Sequence, residues 1–87
     1  MSSGSEGEPG RAGVREIDAR GVKAPLPLLR AFRALRTMEP GQDVRVITSD
    51  PGSLAQFQAL AKFDTSFDLE SQDTVGETFV HVLRKRR

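Results

Sequence analysis

The chain has 87 residues, with 13 lysines and arginines against 12 aspartates and glutamates, and it contains no cysteine and one histidine. A chain of this length forms one domain with a modest core, and its balanced charge gives no reason to expect a nucleic acid or a membrane as partner. Without cysteine, disulfides, thiolate metal sites and a cysteine nucleophile are excluded, and no metal or cofactor site is predicted. No stretch approaches the roughly 20 apolar residues that span a bilayer, so we expect a cytoplasmic protein.

The first part of the chain predicts a tail, a strand and a helix. Residues 1–13 are rich in serine, glycine and glutamate and offer almost nothing to bury, which predicts a disordered tail. The next residues, 14–19, predict a strand that ends in a turn. Pro25 and Pro27 have a fixed φ and no N–H, so they mark the start of a helix over 28–38. The apolar residues of this helix share one stripe: Leu28, Ala31, Phe32, Leu35 and Met38.

The second part predicts a strand, a helix and a hairpin. Residues 43–49 alternate between two faces as a strand does, and Asp50, followed by a proline, has the residue type of a helix cap. The second helix has its own apolar stripe: Leu54, Phe57 and Ala61, with Leu60 beside it. Residues 66–71 and 78–83 predict two closing strands around a loop at 73–76. The order β-α-β-α-β-β predicts an α/β fold, a two-layer sandwich with both helices on one face of a four-stranded mixed sheet.

Several short motifs in this order resemble the TusA/SirA family of sulfur carriers. That family shows a strand ending in D-x-x-G-x-x-C-P-x-P, a helix, an E-P-G turn, a strand, a D-P-G helix entry and a hairpin ending in basic residues. The matching residues are Asp18, Gly21, Pro25, Leu26 and Pro27 in the first motif, then Glu39–Gly41, Val44–Ile47, Asp50–Gly52 and Val82–Lys85. The resemblance implies a domain over residues 14–85, followed by a basic tail at 86–87.

The resemblance implies a role in a persulfide relay. In the family, a cysteine desulfurase loads sulfur on the motif cysteine, and the sulfur passes to an acceptor in tRNA thio-modification, molybdenum-cofactor supply or sulfur metabolism. The partners implied are therefore proteins, and no cofactor is implied. A thiol just before the helix would lie beside unpaired N–H groups and the positive end of the helix dipole, which favour the thiolate.

Ala24 occupies the position of that cysteine. A methyl group cannot ionise, attack a persulfide or hold sulfur, so the chain is predicted to be inactive as a sulfurtransferase. The family's frequent second cysteine also appears as alanine, at Ala61, and its usual proline is replaced by Gln58. Two origins remain open: an engineered Cys→Ala replacement, or a natural paralogue without the thiol. Two functions also remain open: a thiol-less carrier that still docks with relay proteins, or a non-catalytic interaction or regulatory module.

One face of the first helix is a candidate partner surface. On the helical wheel Leu29 lies off the core stripe, in the sector of Arg33 and Arg36. An exposed leucine beside arginines predicts a protein interface, because arginine is enriched at interfaces. The alternative is a solvated helix face with a single exposed leucine.

Three further features have mainly structural interpretations. Asp50 is predicted to cap the second helix, with a contact to the motif loop as the lesser alternative. His81 is predicted to be a sheet residue without a catalytic role. The basic run Arg84–Arg87 is predicted to be a solvated tail, with RNA phosphate as a weaker alternative.

Overall fold

The structure is a computed structural model that describes residues 14–86, and it contains four strands and two helices in the predicted order. The predicted tail at residues 1–13 and the terminal Arg87 lie outside the described residues. In chain order the elements are β1 (Val14–Ala19), α1 (Leu26–Arg36), β2 (Asp43–Thr48), α2 (Gly52–Phe63), β3 (Phe67–Val75) and β4 (Thr78–Lys85).

The four strands form one mixed sheet in the order β1-β2-β4-β3. The pair β1 and β2 is parallel, whereas β2–β4 and β3–β4 are antiparallel. Val44, Val46 and Leu83 are buried in the same core cluster as residues of both helices, among them Leu35 and Phe57. The predicted α/β sandwich with a four-stranded mixed sheet is therefore confirmed.

Helix α1 begins at Leu26, two residues before the predicted run, because the turn containing Pro25 leads directly into it. Ala31 and Leu35 are buried, as is Met38 just beyond the helix, whereas Leu28 and Phe32 pack partly buried against this core. In α2 only Phe57 of the predicted stripe is fully buried. Its companions are half-buried at the rim of the core: Leu54, Leu60 and Ala61.

The closing hairpin is longer and tighter than predicted. The loop expected at 73–76 is wrong, because β3 continues to Val75, which pairs with Thr78 across a two-residue turn. Gly76 begins this turn with a φ of +61°, a conformation that glycine adopts without a Cβ penalty. The pairing shifts by one residue between Leu69 and Ser71, where β3 has a bulge.

The basic run at the end of the chain is not a free tail over its described part. Arg84 and Lys85 belong to β4, and Arg84 Nε donates to Asp43 Oδ1 at 2.7 Å. Lys85 Nζ donates to the carbonyl oxygen of Leu35. Arg86 bonds Asp68, with 2.9 Å between Nε and Oδ1. Each of these three cations therefore has an acceptor within the domain, and Lys85 joins β4 to the end of α1.

Candidate functional site

The candidate site lies where two loops meet at one edge of the sheet. Strands β1 and β2 are parallel and their last residues, Ala19 and Thr48, are paired. The loops that follow them therefore leave the sheet side by side, at the edge where α/β proteins commonly place their sites. We call residues 20–25 the motif loop and residues 49–51 the capping loop.

Hydrogen bonds from backbone N–H groups join the two loops. Gly21 N donates to Ser49 Oγ at 2.7 Å, and Ala24 N donates to Asp50 Oδ2 at 2.8 Å. The other carboxylate oxygen, Asp50 Oδ1, accepts from Gly52 N at 3.0 Å, at the start of α2. Asp50 therefore bonds both the first residue of α2 and the motif loop, whereas the residue directly before the helix is Pro51.

Ala24 is half-buried and lies between the starts of the two helices. Pro25 follows it directly before α1, and a Cβ at Gly52 would lie 3.9 Å from the Cβ of Ala24. The absence of a side chain at Gly52 thus leaves space beside residue 24. The adjoining surface is a shallow depression lined by Gly21, Val22, Lys23, Ser49, Asp50 and Pro51.

The prediction that unpaired N–H groups lie beside residue 24 is wrong, because the amides around the start of α1 have acceptors within the chain. Leu26 N donates to the carbonyl of Lys23 at 3.0 Å, and the amides of Leu28 and Leu29 both donate to the carbonyl of Pro25. The amide of residue 24 itself donates to a charged group, the carboxylate of Asp50. Hydrogen bonds from the amides of Ala24 and Gly52 lower the pKa of Asp50, so this carboxylate is ionised at neutral pH.

A second carboxylate, Asp18, lies near the end of β1, just before the motif loop. Asp18 forms a two-pronged ion pair with Arg20, with 2.8 Å from Nε to Oδ1 and 2.7 Å from Nη2 to Oδ2. These bonds, with a further one from the Arg20 amide, lower the pKa of Asp18 to about 2. Both side chains are more than half exposed. The pair therefore links the end of β1 to the first residue of the motif loop at the surface.

Beneath the capping loop lies a buried polar cluster that the sequence did not reveal. His81 is fully buried, its ring stacks on Phe57 with centroids 4.4 Å apart, and its Nε2 lies 2.9 Å from Thr48 Oγ1. Thr48 Oγ1 is also 2.8 Å from Ser53 Oγ, which donates to the carbonyl of Asp50 at 2.8 Å. The cluster therefore connects the sheet to the first turn of α2.

The partners of His81 determine which ring nitrogen carries its proton. Gln72 Nε2 donates to the carbonyl of Leu54, which can only accept, so the amide group of Gln72 faces His81 as a donor. His81 Nδ1, at 2.9 Å from that nitrogen, must accept, and Nε2–H donates towards Thr48. Burial lowers the pKa of His81 from its usual 6.5 to about 4. Gln58 extends this cluster through a 2.7 Å bond from its Nε2 to Gln72 Oε1.

Comparison with known proteins identifies the family. The family described as Sulfurtransferase TusA matches residues 15–85, nearly all of the described chain. The chain belongs to this family. It is similar to Sulfur carrier protein TusA from Allochromatium vinosum, with 42% identity over 72 residues that cover 83% of this chain and 92% of that protein. The resemblance inferred from the spaced motifs is confirmed.

Two further relatives are named putative sulfur carrier proteins, from Bacillus subtilis and Aquifex aeolicus. They are 29% and 31% identical to this chain over 79% and 78% of its length. This chain spans only 37% and 34% of those two proteins. The names of the relatives support a sulfur-carrier role for members of the TusA family.

The residues predicted as a partner surface lie on the outer face of α1. Leu29 and Arg33 line one depression, together with Leu26 and Arg30, two residues that the sequence analysis did not assign to this surface. Arg36 is exposed, but it is not among the residues that line this depression. The helical spacing i, i+3, i+4, i+7 from Leu26 would have identified Arg30 and Arg33 together.

The described part of the chain offers few reactive groups at the motif loop. Ala24 has no nucleophilic atom, and the whole sequence contains no cysteine that could replace it. Residues 14–86 contain no group of three or more histidines, cysteines, aspartates or glutamates placed to hold a metal ion. Neither of the two described helices is long and apolar enough to cross a membrane.

Proposed function

We propose that this chain is a relay protein of the TusA type in a form without its thiol. It would dock with the proteins of a cytoplasmic persulfide relay, a cysteine desulfurase and a sulfur acceptor, without carrying sulfur. The observation that carries the proposal is the position of Ala24, which lies between two helix starts, held by its own amide on Asp50 at 2.8 Å. That bond uses the backbone of residue 24, so it does not depend on the side chain there.

A cysteine at this position would accept sulfur by thiol exchange. Its thiolate would attack the outer sulfur of the desulfurase persulfide, forming a new S–S bond while the old one breaks and the desulfurase thiolate leaves. The resulting persulfide would pass to the acceptor by the same chemistry. Thio-modification of tRNA, molybdenum-cofactor supply and sulfur metabolism are the candidate outlets.

The experiment restores the nucleophile. We expect the Ala24→Cys variant, incubated with a cysteine desulfurase and cysteine, to gain about 32 Da, the mass of one sulfur atom, by mass spectrometry. The matched control is Ala59→Cys, which places an exposed thiol on α2 away from the motif loop, and the unchanged chain is the blank.

The result that would overturn the proposal is equal sulfur loading, or none, on the two variants. Loading of both would mean that any exposed thiol on this domain is accepted. Loading of neither would mean that the motif loop has lost the geometry that the desulfurase requires.

A non-catalytic interaction or regulatory module is the second candidate. It is favoured by the exposed Leu29, which lies beside Arg33 although the chain has no thiol to deliver. For this function, Ala24 is the native residue and Leu29→Glu abolishes complex formation. Binding of the unchanged chain to the desulfurase that is lost in Leu29→Glu, together with no sulfur on Ala24→Cys, would select this candidate.

A further inference from the structure

Some arginines of the described chain have carboxylate partners within the domain. Within residues 14–86 the pairs are Arg20–Asp18, Arg45–Glu16, Arg84–Asp43 and Arg86–Asp68. In each pair the carboxylate offsets the charge of its arginine. Three of the four are 2.7 Å contacts, and the pair of Arg45 with Glu16 measures 3.8 Å between Nε and Oε2. These side chains have little charge left to offer a partner.

The arginines on and beside α1 differ. None of Arg15, Arg30, Arg33 and Arg36 forms a salt bridge with a described residue. Helix α1 contains no acidic residue. Arg15, on the neighbouring edge strand, donates to Thr37 Oγ1 at 2.8 Å, which leaves its charge uncompensated. Positive charge is thus concentrated on one side of the molecule although the net charge of the chain is only +1.

This cationic side also carries exposed apolar surface. Leu26 is 51% exposed and Leu29 is 52% exposed. Both line a depression with Arg30 and Arg33, and the same two arginines line a second depression that extends to Arg15 on β1. The two depressions therefore adjoin and form one surface, with leucines at the motif-loop end and arginines beyond. We call Leu26, Leu29, Arg30 and Arg33 the α1 face.

We propose that the α1 face binds an acidic segment of a partner protein, in which apolar side chains contact the leucines and carboxylates contact the arginines. This inference rests on the proposed function for the idea that the chain docks on another protein, and it specifies the chemistry of that partner. Guanidinium groups recognise carboxylates through paired hydrogen bonds. Carboxylates alone would leave the two leucines in water, so the segment must also supply apolar side chains.

Other occupants match the α1 face less well. A second copy of the chain would bring one cationic face against another. An RNA strand would find no aromatic side chain on which to stack its bases. Residues 1–13 of this chain contain Glu6 and Glu8, but no leucine, isoleucine, valine or aromatic residue that could cover the leucines. A separate acidic and apolar segment meets both requirements.

The test uses the full chain and a fluorescein-labelled synthetic peptide built of glutamate and leucine, with binding measured by fluorescence anisotropy. We expect Arg33→Gln to weaken binding about fivefold, within the range of an exposed ion pair, and added salt to weaken it further. Arg45→Gln, which removes the same charge from the paired group, should change the affinity by less than about twofold. Leu29→Ser should weaken binding, whereas Val75→Ser, at another exposed apolar residue, should not.

Equal effects of Arg33→Gln and Arg45→Gln would overturn the proposal, since they would indicate attraction to net charge alone. It would also be overturned by tighter, Arg33-dependent binding of a single-stranded RNA oligonucleotide, or by self-association that Arg33→Gln abolishes. These measurements use the chain with Ala24 and need no sulfur chemistry. Absence of peptide binding with normal sulfur loading of Ala24→Cys would therefore contradict this inference alone.

Discussion

Two polar clusters meet at the first turn of α2, and they are built differently. The exposed cluster, at the motif loop, consists of backbone N–H groups that donate to Ser49 and Asp50. The buried cluster is made of side chains: Thr48, Ser53, Gln72 and His81. Asp50 belongs to the first through its carboxylate and meets the second through its carbonyl.

This difference predicts how the two clusters tolerate substitution. In the exposed cluster, residue 24 contributes only its amide, so a small side chain such as that of alanine or cysteine is compatible with the same bonds. In the buried cluster, each side chain satisfies another, and removing one leaves a buried polar group without a partner. We therefore expect a replacement at residue 24 to have little effect on folding, and a replacement of His81 to destabilise the domain.

The largest expected effect comes from breaking the buried cluster. His81→Ala removes a ring stacked on Phe57 and leaves Gln72 and Thr48 each without one buried partner. We expect the free energy of unfolding to fall by about 3 kcal/mol, measured by chemical denaturation.

Val80→Ala is the matched control, since Val80 precedes His81 on β4 and is half-buried on the opposite face of the sheet. Its loss should be about 1 kcal/mol, the apolar burial alone. Equal losses in the two variants would show that the hydrogen bonds of His81 contribute nothing measurable.

The pH dependence of stability provides a second way to separate the clusters. His81 has a pKa of about 4 in the folded chain against 6.5 for the free side chain. Between these two pH values the histidine is protonated in the unfolded chain and neutral in the folded chain, so a falling pH favours unfolding. We expect the free energy of unfolding to be constant above pH 6.5 and to decrease towards pH 4 by up to about 3 kcal/mol.

The control for this pH profile is the His81→Ala variant, which lacks the only histidine of the sequence. Carboxylates in the unfolded chain titrate near pH 4, and Asp18, with its lowered pKa, contributes to the loss of stability mainly below that. In the upper part of the window the variant should therefore show a flat profile. A parallel decrease in both proteins would assign the effect to carboxylates instead.

Most of the fold follows from local patterns, and the errors have local causes. Pro25 and Pro27 identify the start of α1, and the alternation within residues 43–49 identifies β2, because each signal lies in or directly beside its own element. The parallel pair follows from the strand–helix–strand order. The end of β3 was missed because the bulge at Leu69–Ser71 shifts the alternation by one residue. After that shift, the polar residues from Gln72 onwards have the composition of a loop, although Gln72 faces the core side of the sheet and bonds His81.

The candidate site was predictable where a motif defined it and not where distant residues combined. Ala24 was located by the spacing of Gly21 and the prolines. The buried cluster joins Thr48 to His81, which is 33 residues away in the chain. No sequence window contains both, and a lone histidine in a strand gives no indication of its partners. Arg30 was missed for another reason: the helical wheel was read from Leu29, whereas the spacing from Leu26 places Arg30 and Arg33 on the same face.

The smallest expected effect concerns the exposed cluster and the ionisation of a restored thiol. In the Ala24→Cys background, Asp50→Asn removes a negative charge next to residue 24. The amide N–H of residue 24 then no longer donates to a carboxylate. Both changes favour the thiolate, so the thiol pKa should fall by about one unit. The pH dependence of alkylation by iodoacetamide measures this pKa directly.

The matched control is Asp64→Asn in the same background. Asp64 also accepts a nearby amide, Ser66 N at 2.8 Å, but it lies at the end of α2 away from the motif loop. Its replacement should leave the thiol pKa unchanged. An equal fall in both variants would mean that net charge sets the ionisation of residue 24, and a rise with Asp50→Asn would mean that the carboxylate acts by holding the loop in place. A fall specific to Asp50 would identify it as the group that keeps a thiol at this site from ionising freely.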